Sequence, residues 1–203
     1  MMDLDLIKER ARRSMGKRHS HAEREPGYAF FHGQRVGKIA GQLRELIYPN
    51  REEHDDVILV GGWFHDVGKG IEPHWEYGAL IAREILCDVC PEEELNQIVE
   101  IVGTHTLRKR KDYPYYVKLV QDADILDHFG SQEIWLNFWH SSYHRETVEH
   151  TLAYYRDSYV ENAERVRDLL NYPESVAFFD EKDQFVRTFI DRFRREAAGE
   201  LVR

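Results

Sequence analysis

Apolar positions along most of this chain recur every three or four residues, which is the period of an α-helix. The clearest run starts at Tyr28, and its apolar face also carries one histidine. The residues on that face are His32, Val36, Ile39, Ala40, Leu43 and Ile47. No stretch alternates apolar and polar residues as a half-buried β-strand does. The pattern therefore predicts an all-α protein.

Glycine, proline and asparagine divide the pattern into successive helical stretches. The predicted stretches are 3–15, 28–48, 51–64, 74–87, 91–105, 113–127, 131–140, 147–171 and 173–203. A chain of 203 residues fits one domain that is large enough to bury a core. We therefore predict a single helical domain over 1–203, with a compact bundle at about 28–130 and a C-terminal helical extension at about 131–203.

Several of the predicted buried helix faces end in a histidine or an aspartate, which are side chains that can bind metals. His65 and Asp66 follow the apolar run at 57–60. A charge at the end of such a segment loses its hydration and needs a partner, which a divalent ion would supply. Similar inward positions on other helices belong to His32, His74, His105 and Asp124. Each alone is typical of a hydrogen-bonded core residue, but a bundle that points this many titratable groups inward needs a metal to hold them.

Two aspartates compete for the inward position on the stretch 113–127. Asp124 continues the face of Val117 and Val120, whereas Asp122 is rotated from it by about 200°, two steps of ~100° each. We take Asp124 as the inward carboxylate, with Asp122 as the alternative. Asp127 lies one turn further on the same face, where it could accept a hydrogen bond from a ligand histidine.

The charge of the chain limits its partners. The net charge is −9 and the pI is near 5.7, which argues against long nucleic acids and membrane surfaces as partners. The basic run at 108–111 is the exception; it fits either a solvated loop or attraction of a phosphate, because it follows His105. No signal-peptide core and no apolar stretch of ~18 residues is present. We predict a cytoplasmic protein.

Three short segments resemble the HD-domain metal-dependent phosphohydrolase superfamily. They are FHGQRV at 31–36, FHDVGK at 64–69 and QDADILD at 121–127. The resemblance covers about residues 28–130, and it is closest to the small uncharacterised HD hydrolases. It implies an HD-type helical bundle that binds one divalent ion, which is Mn, Fe, Co, Ni, Zn or Mg. The implied ligands are His32, His65, Asp66 and Asp124.

Two further segments resemble HD enzymes that hold two metal ions. They are HWEYGA at 74–79 and THT at 104–106. The resemblance implies that His74 and His105 help to bind a second ion or contact the phosphate. The chain has a single histidine at 105 where the cyclic-dinucleotide branch has a pair, and it lacks that branch's Gly-Tyr-Pro signature.

The expected reaction is hydrolysis of a phosphate ester or anhydride in a small phosphorylated molecule, a nucleotide. We assign Asp66 as acceptor of a proton from the attacking water and Lys69 as the cation that neutralises charge on the phosphoryl group. Arg35, Lys69 and Arg108 are the predicted substrate contacts. The alternatives are a di-iron oxygenase and a nucleotide sensor without turnover, and a homo-oligomer is compatible with the sequence.

Overall fold

The computed structural model describes residues 2–18 and 24–203. Within these ranges the regular structure consists of ten helices and no strand, which confirms the all-α prediction. In chain order the helices are α1 Leu4–Met15, α2 Tyr28–Ile47, α3 Asp55–Phe64, α4 His74–Leu86, α5 Glu92–Thr104, α6 Tyr115–Asp127, α7 Ser131–His144, α8 Val148–Asp157, α9 Tyr159–Arg167 and α10 Pro173–Ala197.

The helices form two compact units. Met1–Asp127 contains α1 to α6, and His128–Arg203 contains α7 to α10. In the first unit α2 packs on α3 and α6, α4 packs on α5, and α3 also contacts α5. In the second unit α10 packs on α7, α8 and α9. The boundary lies close to the one predicted between bundle and extension, while the interpretation of 1–203 as one domain stays a prediction.

Two predicted stretches differ from the observed helices. The helix predicted over 51–64 begins only at Asp55, where Asp55 and Asp56 place negative charge in the first turn, as the helix dipole favours. The stretch at 147–171 is divided at Ser158 into α8 and α9. Other ends follow the local signals: the α2 helix begins after Gly27, whose φ is +77°, and it ends just before Pro49.

Glycines bring α2 and α3 into close contact. A Cβ atom on Gly62 would lie 2.5 Å from the Gly37 Cα, and a Cβ atom on Gly37 would lie 2.8 Å from the Leu59 carbonyl oxygen. Neither position can therefore carry a side chain without moving the backbones apart. This close approach sets His32 on α2 beside the end of α3.

No described helix is both long and apolar enough to cross a bilayer. The cytoplasmic location stays a prediction.

Candidate metal centre

Five helices of the first unit bring the predicted ligands together. These residues are His32 on α2, His65 and Asp66 at the end of α3, His74 at the start of α4, His105 at the end of α5 and Asp124 on α6. Each of them is at most 8% exposed. Charged and titratable groups buried to this extent need partners.

The first group of possible ligands consists of His32, His65 and Asp66, whose ligand atoms lie within 4.8 Å of one another. The Nε2 atoms of His32 and His65 are 3.1 Å apart. Asp124 joins them, because its Oδ1 is 3.1 Å from the His32 Nε2 and 3.6 Å from the His65 Nε2. These four are the residues that the sequence nominated for one ion.

The second group consists of Asp66, His74 and His105, with the same limit of 4.8 Å. The Asp66 Oδ1 is 3.7 Å from the His74 Nε2 and 3.5 Å from the His105 Nε2. The other oxygen of Asp66, Oδ2, lies 3.8 Å from the His65 Nε2. One carboxylate is therefore shared by both groups and faces each with a different oxygen.

Two of the histidines direct an Nε2 lone pair at this centre. The Nδ1 atoms of His65 and His105 donate to the carbonyl oxygens of Gly62 and Val102, each at 2.8 Å. Those carbonyls lie in the last turns of α3 and α5, where the helix supplies no partner. With Nδ1 protonated, each Nε2 is left as an acceptor. The His74 Nε2 is buried and has no hydrogen-bond partner among the described residues. This set of donor atoms fits a divalent metal.

His32 is held from its other side by a carboxylate. Its Nδ1 lies 2.7 Å from the Asp127 Oδ2, and Arg35 donates from Nε and Nη2 to both oxygens of Asp127 at 2.8 and 3.0 Å. The Tyr28 ring stacks on the His32 imidazole, with ring centroids 5.3 Å apart. Asp127 thus makes the hydrogen bond to a ligand histidine that the sequence suggested. Arg35 binds the same carboxylate. The substrate contact assigned to Arg35 stays a prediction.

Electrostatic interactions keep the carboxylates of the centre ionised. Burial alone would raise the pKa of Asp66, but the neighbouring His65, His105 and Lys69 together hold it well below the ordinary value. Burial likewise opposes ionisation of Asp124, and the hydrogen bond to His32 with the neighbouring His65 and Arg108 outweighs it, so that its pKa is also well below the ordinary value. The centre therefore presents negative oxygens to a cation.

The pKa values of two histidines move in opposite directions. Burial lowers the pKa of His32, but its hydrogen bonds to Asp124 and Asp127 prevail and raise it to about 9. Burial is the larger effect at His105, whose pKa falls below its ordinary value despite the neighbouring Asp66 carboxylate.

Two predicted phosphate-binding cations lie next to ligand carboxylates. The Arg108 Nη2 donates to the Asp124 Oδ2, and the Lys69 Nζ is 3.5 Å from the Asp66 Oδ1. The side chain of Arg108 is largely buried, and Lys69 is partly buried. Asp122 is fully buried on α6, and Asp124 on the same helix has an oxygen 3.1 Å from the His32 Nε2.

Sequence reasoning missed one cation that supports the centre. Arg18 donates from Nη1 to the Val67 carbonyl at 2.6 Å and from Nη2 to the Lys69 carbonyl at 2.7 Å. It thereby fixes the turn after Asp66. The same turn needs Gly68, because a Cβ atom there would lie 2.1 Å from the His74 carbonyl oxygen. Nothing in the polar segment around Arg18 indicated this contact.

An all-α bundle that buries two connected groups of histidine and aspartate side chains belongs to the class of helical proteins whose core could hold a divalent metal. Within that class, residues 30–128 match the family model of the HD domain, a range that includes every residue of the centre. These residues therefore form an HD domain, and the predicted resemblance is confirmed.

Solved structures share this fold. An HD-superfamily hydrolase from Bacillus thuringiensis is 22% identical, with a TM-score of 0.65 over 96% of this chain and 100% of that chain. A predicted HD superfamily hydrolase from an uncultured Thermotogales bacterium is 20% identical, with a TM-score of 0.62 over 95% and 92%. Bacillus subtilis YpgQ, solved in complex with ADP, is 15% identical, with a TM-score of 0.64 over 94% and 97%. At these identities the likeness shows the fold alone. No curated protein matches the chain.

Proposed function

We propose that this protein is a metal-dependent phosphohydrolase that cleaves a phosphate ester or anhydride in a nucleotide. The observation that carries the proposal is the position of Asp66, whose Oδ2 faces His65 while its Oδ1 faces His74 and His105. Such a carboxylate can be a ligand of one divalent ion or of two. The ligands for the first ion would be His32, His65, Asp66 and Asp124, and a second ion would use Asp66, His74 and His105.

A divalent ion bound here supplies Lewis acidity, which lowers the pKa of water and polarises a phosphoryl oxygen. Asp66 stays ionised because its pKa is well below the ordinary value. A carboxylate with so low a pKa is a weak base. The Asp66 carboxylate therefore orients the attacking water by accepting a hydrogen bond from it while the bond between the water oxygen and phosphorus forms.

Lys69 and Arg108 provide positive charge beside the ligand carboxylates. A phosphoryl group that enters the centre would meet the Lys69 ammonium near Asp66 and the Arg108 guanidinium near Asp124. Both cations can neutralise the charge that grows on the phosphoryl oxygens, and the planar fork of Arg108 can bind two of them. Arg35 is proposed as a further contact through the N–H groups that it does not direct at Asp127.

The choice of a nucleotide rests on chemistry and on a fold relative. YpgQ has the same fold and was solved with ADP bound. An acidic chain with a few cations gathered at one centre also suits a small phosphorylated molecule better than a long polyanion. A homo-oligomer stays a prediction.

The test compares His65→Ala with His54→Ala. His54 lies in the same unit and is hydrogen-bonded to Tyr115 at 2.8 Å, outside the centre, so its replacement is a matched loss of one imidazole. Metal content is measured by elemental analysis, and release of phosphate or of a shortened nucleotide is screened with Mn²⁺, Co²⁺ and Ni²⁺. We expect His65→Ala to lose metal and turnover together while His54→Ala keeps both. Full activity in His65→Ala would overturn the mechanism.

A di-iron oxygenase is the second candidate, because the shared Asp66 would also suit two iron ions. Iron retained after aerobic purification, an absorbance change on exposure to oxygen and no phosphoryl turnover would favour it. A nucleotide sensor instead predicts tight nucleotide binding without turnover under any of the metals.

A further inference from the structure

The segment that precedes the HD domain reaches the candidate metal centre through Arg18. The HD-domain match covers residues 30–128, whereas Arg18 lies between α1 and α2. Its Nη1 donates to the Val67 carbonyl at 2.6 Å and its Nη2 to the Lys69 carbonyl at 2.7 Å. Two nitrogens of one planar guanidinium thus hold two carbonyls of the turn at 66–69.

The backbone of Arg18 is itself fixed on both sides. Its N–H donates to the Met15 carbonyl at 3.1 Å, at the end of α1, and its own carbonyl accepts from the Gly27 N–H at 3.2 Å. Gly27 directly precedes α2, the helix that carries His32. Arg18 therefore joins the start of α2 to the turn that follows α3, and both of these helices carry ligands of the first group.

The turn at 66–69 carries two groups of the proposed chemistry. The Lys69 N–H donates to the Asp66 carbonyl at 3.0 Å, and the Lys69 Nζ is 3.5 Å from the Asp66 Oδ1. The turn also packs closely on α4, since a Cβ atom on Gly68 would lie 2.1 Å from the His74 carbonyl oxygen. A turn released by Arg18 would therefore shift the Lys69 ammonium relative to the shared carboxylate.

We propose that Arg18 is a positioning residue, which keeps the Lys69 ammonium beside Asp66 by holding the turn that joins them. Arg18 acts through this turn and does not touch the phosphoryl group. The inference rests on the proposed function, because Lys69 is there the cation that neutralises charge on the phosphoryl oxygens. A misplacement of about 1 Å in such a group can cost up to about 100-fold in rate.

Amide hydrogen exchange tests the holding of the turn without metal or substrate. Arg10→Ala is the matched control for Arg18→Ala, because Arg10 lies in the same N-terminal segment and donates at 2.6 Å to the Ile85 carbonyl near the end of α4. Exchange at 67–71 should be about tenfold faster in Arg18→Ala and unchanged in Arg10→Ala. Guanidinium chloride at a non-denaturing concentration should slow it again in Arg18→Ala alone. Equal exchange in the two variants would overturn the proposal.

Binding of inorganic phosphate to the Mn²⁺-saturated protein tests the action through Lys69. Calorimetry should show phosphate affinity reduced about tenfold in Arg18→Ala and unchanged in Arg10→Ala. The double variant of Arg18→Ala and Lys69→Ala should bind phosphate as Lys69→Ala does, because Arg18 acts only through that ammonium.

Two results would overturn this action through Lys69. They are wild-type phosphate affinity in Arg18→Ala, and losses from Arg18→Ala and Lys69→Ala that multiply in full. A wild type that binds phosphate in this way and hydrolyses no nucleotide would contradict the proposed function and leave the positioning role of Arg18 in force.

Discussion

His32 is positioned by a short chain of contacts that reaches from the solvent side of α2 to the centre. Arg35 holds both oxygens of Asp127, Asp127 accepts from the His32 Nδ1, and the His32 Nε2 faces Asp124. Burial alone would raise the pKa of Asp127, but the bonds from His32 and Arg35 lower it to about 2. A carboxylate that stays charged in this place fixes the imidazole ring and makes its other nitrogen a better ligand.

Replacing Asp127 by asparagine is expected to weaken metal binding by about 10–100-fold. The amide has nearly the same shape, but it lacks the charge that orients His32 and it cannot hold Arg35 with two acceptors. Equilibrium dialysis with Mn²⁺ measures the effect. Asp112→Asn is the control, since Asp112 is exposed, lies just before α6 and pairs with Lys118 outside the centre. Unchanged affinity in Asp127→Asn would show that the hydrogen bond to His32 does not matter for the metal.

At the scale of elements, the contact between α2 and α3 sets the distance from His32 to His65. Gly37 and Gly62 allow the two backbones to touch. Gly41 lies one turn further along α2, but a Cβ atom there would meet nothing within 4 Å. Gly37 is therefore packed tightly against α3, whereas Gly41 on the same helix has open space around it.

Gly37→Ala is expected to lower the free energy of unfolding by about 1–3 kcal/mol, because the methyl group collides with the Leu59 carbonyl and pushes the helices apart. Gly41→Ala should instead raise it by about 0.5–1 kcal/mol, since alanine loses less backbone entropy within a helix. Urea unfolding of the full chain measures both. Equal effects of the two substitutions would mean that helix contact does not explain the glycine at position 37.

At the scale of the whole molecule, the core of the first unit is stabilised only in part by apolar packing. Apolar side chains such as Ile58, Leu95 and Leu119 are fully buried there, but six ligand residues and Asp127 are buried among them. A metal that binds the folded state and not the unfolded chain adds its binding free energy to stability.

Removal of metal with a chelator should therefore lower the Tm of the first unit by about 5–10 °C relative to protein held at 100 times the Kd. Calorimetry with and without EDTA measures the shift. His54→Ala should respond as the wild type does, whereas His65→Ala should show no further loss. A chelator-insensitive Tm in the wild type would contradict a resident metal in this core.

The sequence alone determined the helical class and the identity of the candidate ligands. Both are local properties: the 3.6-residue period shows which side of a helix is buried, and a histidine or aspartate on that side is visible without any neighbour. The same reasoning favoured Asp124 over Asp122, but burial does not separate them, because both are buried on α6. The start of α3 at Asp55 and the break at Ser158 were not visible, since no glycine or proline marks them.

Only the tertiary structure decided how these residues combine. His32 and Asp127 are 95 positions apart in the chain, and Arg18 and Val67 are 49 apart. Whether such pairs meet depends on how helices pack, which is set by many weak contacts at once and leaves no local signal. The sharing of Asp66 between two groups of histidines and the attachment of Arg35 to Asp127 are consequences of that packing.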